Sequence, residues 1–288
     1  MPSRSPPVER ARPLLGTRVA IRVEGLPESR AHAALDTAFA VIARVHARMN
    51  YHALDSDVAR LNRAEPGAWI PVAVETCAVL ALAQRIARHS GGAFDPTVAG
   101  DLVRDGRLPT PAGARPPDPG ARWHDLVVEG ETVRLRRPLW LDLSGIAKGY
   151  AVDRAIALLG AFGARAACVD AGGDLRLFGS PQGVALRTGY PDEAVPVVRL
   201  EGGGLACSGG RPDPRHAADG QHRDGRTRRT AGEGRFACVL AETCAVADAL
   251  TKVVLALGPA SDPVLGEFAA AAHLREADGT WHALGVVA

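Results

Sequence analysis

The densest set of side chains able to do chemistry is one run, Asp142-Leu143-Ser144-Gly145-Ile146-Ala147-Lys148-Gly149-Tyr150-Ala151-Val152-Asp153. Read on its own residues, a strand end delivers Asp142 and Ser144 caps the helix that follows. The free N–H groups and partial positive charge of a helix start suit a phosphate. Gly145 and Gly149 permit close approach, and Lys148 adds a point charge. A capped helix with a surface lysine reads the same residues equally well.

Four further constellations carry polar chemistry. Val169-Asp170-Ala171-Gly172-Gly173-Asp174 is a tight turn, or a place where a ligand meets the backbone closely. Gly92-Ala93-Phe94-Asp95-Pro96-Thr97 sets an aromatic ring beside a turn-starting Asp-Pro. Asp248 and Lys252 stand four residues apart on one helix face, as an ordinary ion pair or with Asp248 as a ligand for a hard cation. Residues 211–235 hold seven Arg against three Asp and one Glu and almost no large apolar residue. They read as an exposed loop, or as a lid carrying Arg and His to an anionic substrate.

The elements that must position these groups follow from periodicity. Arg18 to Glu24 alternates apolar and polar residues and predicts a strand. Leu35, Phe39, Ile42, Val45 and Met49 form one apolar helical stripe, and Val72 to His89 is a second helix. Residues 107–122 are a Pro- and Gly-rich loop. A hairpin is expected over Asp125–Arg136, a strand over Leu139–Leu143 and a helix from Gly145 to Leu159. Strands are expected over Ala166–Val169, Leu175–Phe178, Val184–Arg187, Val197–Leu200 and Phe236–Leu240. A helix capped by Thr243 runs to Leu257, and a hairpin turns on residues 277–280. Interleaving without strict alternation indicates an α+β fold.

Composition bounds the partners. The 288 residues carry 34 Lys plus Arg against 32 Asp plus Glu, so charge gives no case for nucleic acid. The 211–235 stretch lacks interleaved aromatics for base stacking. No apolar run is read as approaching the ~20 residues that cross a bilayer. Five scattered cysteines form no CxxC pair and fit buried thiols. The polar N-terminus shows no secretory h-region, so a cytoplasmic location is expected, with a periplasmic or membrane-associated one as the alternative. Residues 1–13 read as a tail.

Taken in order, these motifs resemble those of the ApbE family, the FAD:protein FMN transferases. Leu15-Gly16-Thr17 is similar to the family's opening Met-Gly-Thr, and Met49-Asn50-Tyr51-His52 with Asp55-Ser56-Asp57 and Arg60-Leu61-Asn62 to its next stretch. Phe94-Asp95-Pro96-Thr97, Asp142 to Asp153, Gly172-Gly173-Asp174, Ser208-Gly209 and Ala247-Asp248-Ala249-Leu250 follow in the family's order.

The resemblance implies a two-lobed, T-fold-related α+β architecture with the cofactor between lobes, formed by residues 14–288. It implies cleavage of FAD and transfer of FMN to a Thr or Ser hydroxyl of an acceptor flavoprotein, with release of AMP and help from Mg²⁺. Residues expected at the flavin nucleotide are Met49, Tyr51, Ala93, Phe94, Asp95, Asp142, Lys148, Gly172, Gly173 and Ser208. The Gly145 carbonyl and Asp248 match two family metal ligands.

Three departures stand out. The third metal ligand, a Thr in the family, is replaced by Lys252, with Thr251 one place early, which predicts altered metal use. The family's His-x-x-Asp-Pro-Arg-Thr-Gly survives best as His222-Arg223-Asp224-Gly225-Arg226-Thr227, making His222 the candidate base with Asp224 beside it and His216 its rival. Leu15 replaces Met, and His52 stands at a flavin-packing aromatic position where Tyr51 would substitute.

Overall fold

The structure, a computed structural model, describes residues 6–190, 196–209 and 222–285. Its elements begin with β1 (Val8–Leu14), β2 (Thr17–Glu24), α1 (Glu28–Met49), α2 (Asp57–Asn62), β3 (Trp69–Pro71), α3 (Val74–His89) and α4 (Ala99–Arg104). Next come β4 (Leu126–Glu129), β5 (Thr132–Leu135), α5 (Ala147–Ala161), β6 (Ala166–Ala171), β7 (Leu175–Phe178), β8 (Gln182–Ala185) and β9 (Val197–Leu200). The chain closes with β10 (Gly203–Gly209), β11 (His222–Asp224), β12 (Arg229–Ala231), β13 (Phe236–Ala241), α6 (Cys244–Leu257), α7 (Asp262–Glu267), β14 (Ala271–Arg275) and β15 (Trp281–Leu284).

Eight strands form one antiparallel sheet in the order β1-β2-β6-β7-β10-β13-β14-β15. The α+β expectation holds. Side-chain alternation sorts the two faces. Ala206, Ala237, Val239, Ala272 and Leu274 face the main core with α1, α5 and α6. Leu175, Leu177, Leu205, Phe236 and Cys238 point the other way and pack with Leu200 and with Val184 and Val198 of the β8–β9 pair.

α1 buries Leu35, Phe39, Ile42, Val45 and Met49, the predicted stripe. It packs on α5, and α5 packs on α6. That last contact is close because Gly149 has no side chain: a Cβ there would lie 2.4 Å from the Cys244 carbonyl oxygen. Asp153 completes the join by accepting hydrogen bonds from Cys244 and Ala245 N–H, each 2.9 Å, which satisfies two donors at the start of α6. The Thr243 side chain accepts from Val246 N–H as predicted.

Several expectations need correction. Val8 to Leu14 is not tail but an edge strand paired along its whole length with β2. Arg10 and Arg12 tie it to Asp36 of α1 at 2.9 and 2.7 Å. Leu139 to Leu143 is extended but joins no sheet, because its backbone pairs elsewhere. Asn62 clamps Leu141, accepting its N–H at 2.7 Å and donating to its carbonyl at 3.2 Å, while Asp142 N–H reaches Pro96 O at 2.9 Å. Ser144 does not cap α5; it donates to Asp142 instead, at 2.7 Å. The run Cys244–Glu267 does reach membrane-spanning length with a mean hydropathy of 1.4. It spans α6 and α7 in succession, and 67% of its most apolar 18-residue stretch is buried in the protein core. Cys77, Cys238 and Cys244 are buried and Cys168 and Cys207 half-buried, all five as free thiols.

Candidate functional site

The start of α5, the Gly-Gly-Asp turn, the end of β10 and the middle of α6 meet on the helix-covered face of the sheet. Gly172 and Gly173 adopt φ of +71° and +99°, the left-handed conformation that favours glycine. Their turn delivers Asp174, which is almost wholly buried. Lys148 of α5 reaches it at 2.8 Å. One helical turn apart on α6, Lys252 lies 2.5 Å from Asp248 Oδ1. The other Asp248 oxygen accepts Gly149 N–H at 3.2 Å. Ser208 of β10 stands 3.2 Å from Lys252 Nζ and 2.8 Å from Thr251 Oγ1. Two carboxylates and two ammonium groups therefore balance in one buried cluster.

Burial and the Asp248 charge raise the Asp174 pKa to about 6, against the pull of Lys148 and Lys252. Burial alone would depress Lys148, but Asp174 and Asp248 hold its ammonium above the usual lysine range. His222 feels the same cluster. Burial, and then the Lys252 and Arg107 cations, lower its pKa to about 3, so it is neutral at physiological pH. Its Nε2 is buried and has no hydrogen-bond partner among the described residues.

The rim is built from three loops, those after α1 and α3 and the one leading into α5. The Phe94 ring stands 3.6 Å from where a Gly145 Cβ would be, so Phe94, Gly145 and Lys252 are neighbours. Asp142 lies near enough to Tyr51 to help burial raise the phenol to about 12. Tyr51 also donates to Pro109 O at 2.9 Å.

Other predicted residues are occupied with architecture. Met49 is core. The Asp95 carboxylate is filled by Thr97 N–H and Oγ1 at 2.8 and 2.7 Å and by Arg228 at 3.1 Å. Ala93 is buried, and its carbonyl accepts Gly225 N–H at 3.1 Å. Gly225 is the point of contact between the β11–β12 hairpin and this loop: a Cβ there would meet both Asp95 Cβ and Gly92 O at 2.4 Å. Asp224 is held by Arg226, at 3.1 Å from Nε and 2.9 Å from Nη2. Although burial opposes it, these bonds lower the Asp224 pKa. The part of the 211–235 stretch that is described is thus no solvated loop, and Arg228 is only 14% exposed. His216 lies outside the described residues.

Two positions escaped the sequence. Asp174 was visible in the Gly-Gly-Asp turn but not assigned to the site. Arg228, which joins Asp95 to Asp101, was one arginine of seven with nothing to single it out. The phosphate site expected at the start of α5 is also largely closed. Ile146 and Ala147 N–H both bond to Leu143 O, at 3.1 and 2.8 Å, and Gly149 N–H serves Asp248. A groove of about 850 Å³ runs past Phe178, Leu200 and Glu242, and no predicted site residue lines it.

The residues do not fit the Mg²⁺ that the resemblance implies. A hard cation needs oxygens with free lone pairs. Both acceptor positions of the Asp248 carbonyl oxygen are taken, by Thr251 Oγ1 at 2.7 Å and Lys252 Nζ at 3.1 Å, and each carboxylate oxygen already has one donor, the Lys252 ammonium on Oδ1 and Gly149 N–H on Oδ2, so an ion would have to share Oδ1 with a cation. Among the described residues no three His, Cys, Asp or Glu side chains are grouped to hold a metal. A dication ~4 Å from the Lys252 ammonium would be repelled by about 8 kcal/mol at an effective dielectric of about 20.

A model described as the ApbE family matches residues 15–271. A curated FAD:protein FMN transferase of Rhodobacter capsulatus is 32% identical over 206 residues, covering 66% of this chain and 39% of that protein. One from Treponema pallidum is 31% identical over 191 residues, covering 60% and 52%. The chain therefore spans about half or less of these relatives. The crystal structure of the flavinyl transferase ApbE of Pseudomonas stutzeri, apo form, superposes with a TM-score of 0.82 at 23% identity, over 99% of this chain and 96% of that one. The flavin transferase ApbE of Vibrio cholerae gives 0.80 at 24%, over 97% of each. Both likenesses concern the fold.

Proposed function

The chain belongs to the ApbE family, and from that premise we propose that it transfers FMN from FAD to a Thr or Ser hydroxyl of an acceptor flavoprotein. The observation that carries this reading is the meeting of Lys148, Ser208 and an unpartnered, neutral His222 at one charge-balanced cluster. Phosphoryl transfer asks a protein mainly for positioning and charge stabilisation.

Each group then has a task. Among the described residues Lys148 Nζ has one partner, Asp174, so two of its three N–H donors are free for the pyrophosphate. The Phe94 ring beside Gly145, with Tyr51 near Asp142, lines the approach for the flavin. The negative charge of the pyrophosphate raises the His222 pKa from about 3, so that Nε2 can take the proton of the acceptor hydroxyl as that hydroxyl attacks the FMN phosphorus. The phosphoanhydride P–O bond breaks, and its bridging oxygen leaves with AMP. A phosphoester joins FMN to the acceptor.

The test is incubation with FAD and a flavoprotein carrying the acceptor site, followed by intact-mass measurement of the acceptor and assay of AMP. The expected result is one FMN added per acceptor with AMP in equal amount. AMP formed without acceptor would make the chain an FAD pyrophosphatase, and bound FAD without AMP would make it a flavin-binding protein.

A further inference from the structure

We propose that Lys252 is the resident cation of this cluster, neutralising Asp248 in place of a divalent ion, so that the chain holds its anionic nucleotide without metal.

The ammonium occupies the oxygen-lined position with its full set of donors engaged. An ammonium has three N–H donors. Three oxygens stand around Lys252 Nζ: Asp248 Oδ1 at 2.5 Å, Asp248 O at 3.1 Å and Ser208 Oγ at 3.2 Å. The side chain carries its charge at the end of a stem, and that stem needs space. Gly145 provides it, since a Cβ at that position would crowd Lys252 Cε at 3.2 Å. The residue whose carbonyl would face an ion is thus the one that makes room for the lysine.

Thr251 offers no replacement ligand. It is buried and turned onto Asp248 O and Ser208. Charge points the same way. Asp174 and Asp248 are already matched by Lys148 and Lys252, and a dication would leave the pocket with two surplus positive charges beside an ammonium. Because its donors are engaged, Lys252 is a positioning residue: it neutralises Asp248 and fixes Ser208, while Lys148 keeps donors free for phosphate.

The metal half of this inference stands apart from the transferase reading; the nucleotide half rests on it. Two measurements separate them. Mn²⁺ is titrated into the full chain and the free ion followed by electron paramagnetic resonance. FAD affinity is followed by flavin fluorescence in EDTA and in Mg²⁺. The unmodified chain should bind no stoichiometric Mn²⁺, and its FAD affinity should change less than about twofold between the two buffers, well under ordinary coupling between linked sites. Lys252→Thr, melting as a folded protein, should gain one Mn²⁺ per chain and an FAD affinity that Mg²⁺ raises on the order of tenfold.

Stoichiometric Mn²⁺ binding by the unmodified chain, lost in Asp248→Asn, would overturn the inference whether or not the Lys252 variant folds. So would a folded Lys252→Thr that gains no Mn²⁺. If FAD fails to bind in either buffer, the transferase reading falls, and the Mn²⁺ result still decides the metal question.

Discussion

Around Arg228, both terminal nitrogens of the guanidinium are filled. Nη2 meets Asp95, Thr97 Oγ1 and Ala121 O at 3.1, 3.1 and 2.9 Å, and Nη1 meets Thr97 O and Asp101 at 3.1 and 3.2 Å. Around Lys148, by contrast, neither Asp174 oxygen is hydrogen-bonded among the described residues, although Oδ2 is ion-paired to Lys148 at 2.8 Å, and His222 Nε2 has no hydrogen-bond partner there either. Both regions bury aspartate against a cation. The first spends both terminal nitrogens on itself, leaving Nε without a hydrogen bond among the described residues, and fastens the β11–β12 hairpin to the Asp95 loop. The second keeps donors and acceptors in reserve, as a place awaiting a ligand must. Burial and charge alone do not tell these two regions apart; the difference lies in how many polar groups remain unpaired.

That contrast can be broken by substitution. His222→Ala should slow FMN transfer by ~10²–10⁴-fold, the usual worth of a general base, with little change in melting temperature. If the variant instead melts early and the folded fraction keeps its rate, His222 belongs with the Arg228 region. Arg228→Ala should do the reverse. Leaving Asp95 buried and unpaired should lower the unfolding free energy by ~3–5 kcal/mol in chemical denaturation. A loss under ~1 kcal/mol, the range of exposed pairs, would show that the knot carries no such weight.

A smaller effect sharpens the comparison. The His222 pKa falls from the ordinary 6.5 in the unfolded chain to about 3 in the fold. Between those values the unfolded chain binds the extra proton, so this group's stability is full above about pH 6.5 and is lost as pH falls toward 3. Asp174, raised to about 6, binds its proton in the folded state and works in the opposite sense. The variant isolates the histidine. Unmodified chain should lose more melting temperature from pH 7.5 to pH 5 than His222→Ala does, and equal losses would mean the imidazole is not held neutral.

Much of this was legible in the sequence because periodicity and burial agreed. The α1 stripe from Leu35 to Met49, the Thr243 cap and the β4–β5 hairpin all appear as expected. The missing strand β10, Gly203-Gly204-Leu205-Ala206-Cys207-Ser208-Gly209, was hidden by its glycines, which strands usually avoid. The fold needs one of them there: a Cβ on Gly204 would sit 2.4 Å from Cys244 N, at the start of α6. β1 was hidden by its charges and by Pro13, both of which an edge strand tolerates.

Site residues divided in the same way. Lys148, Ser208 and Asp248, conspicuous in the sequence, do meet in one cluster. Asp95, Asp153 and Asn62 sit in equally conspicuous motifs yet turn inward to hold backbone N–H groups, a use that only three-dimensional neighbours reveal. Thr251 and Lys252 show how finely this is drawn, since one residue of offset on α6 exchanges a hydroxyl for a charge.

The strand order of the large sheet has a consequence for synthesis. Most neighbours in the sheet are close in sequence, but β2 (Thr17–Glu24) pairs with β6 (Ala166–Ala171) across most of the first half of the chain. Such long-range pairing forms late and slowly. The cluster itself draws on residues 148, 174, 208, 222, 248 and 252. A nascent chain still lacking α6 has Lys148 and Asp174 but neither Asp248 nor the helix that Asp153 caps. Assembly of the cluster must therefore wait until α6 has left the ribosome.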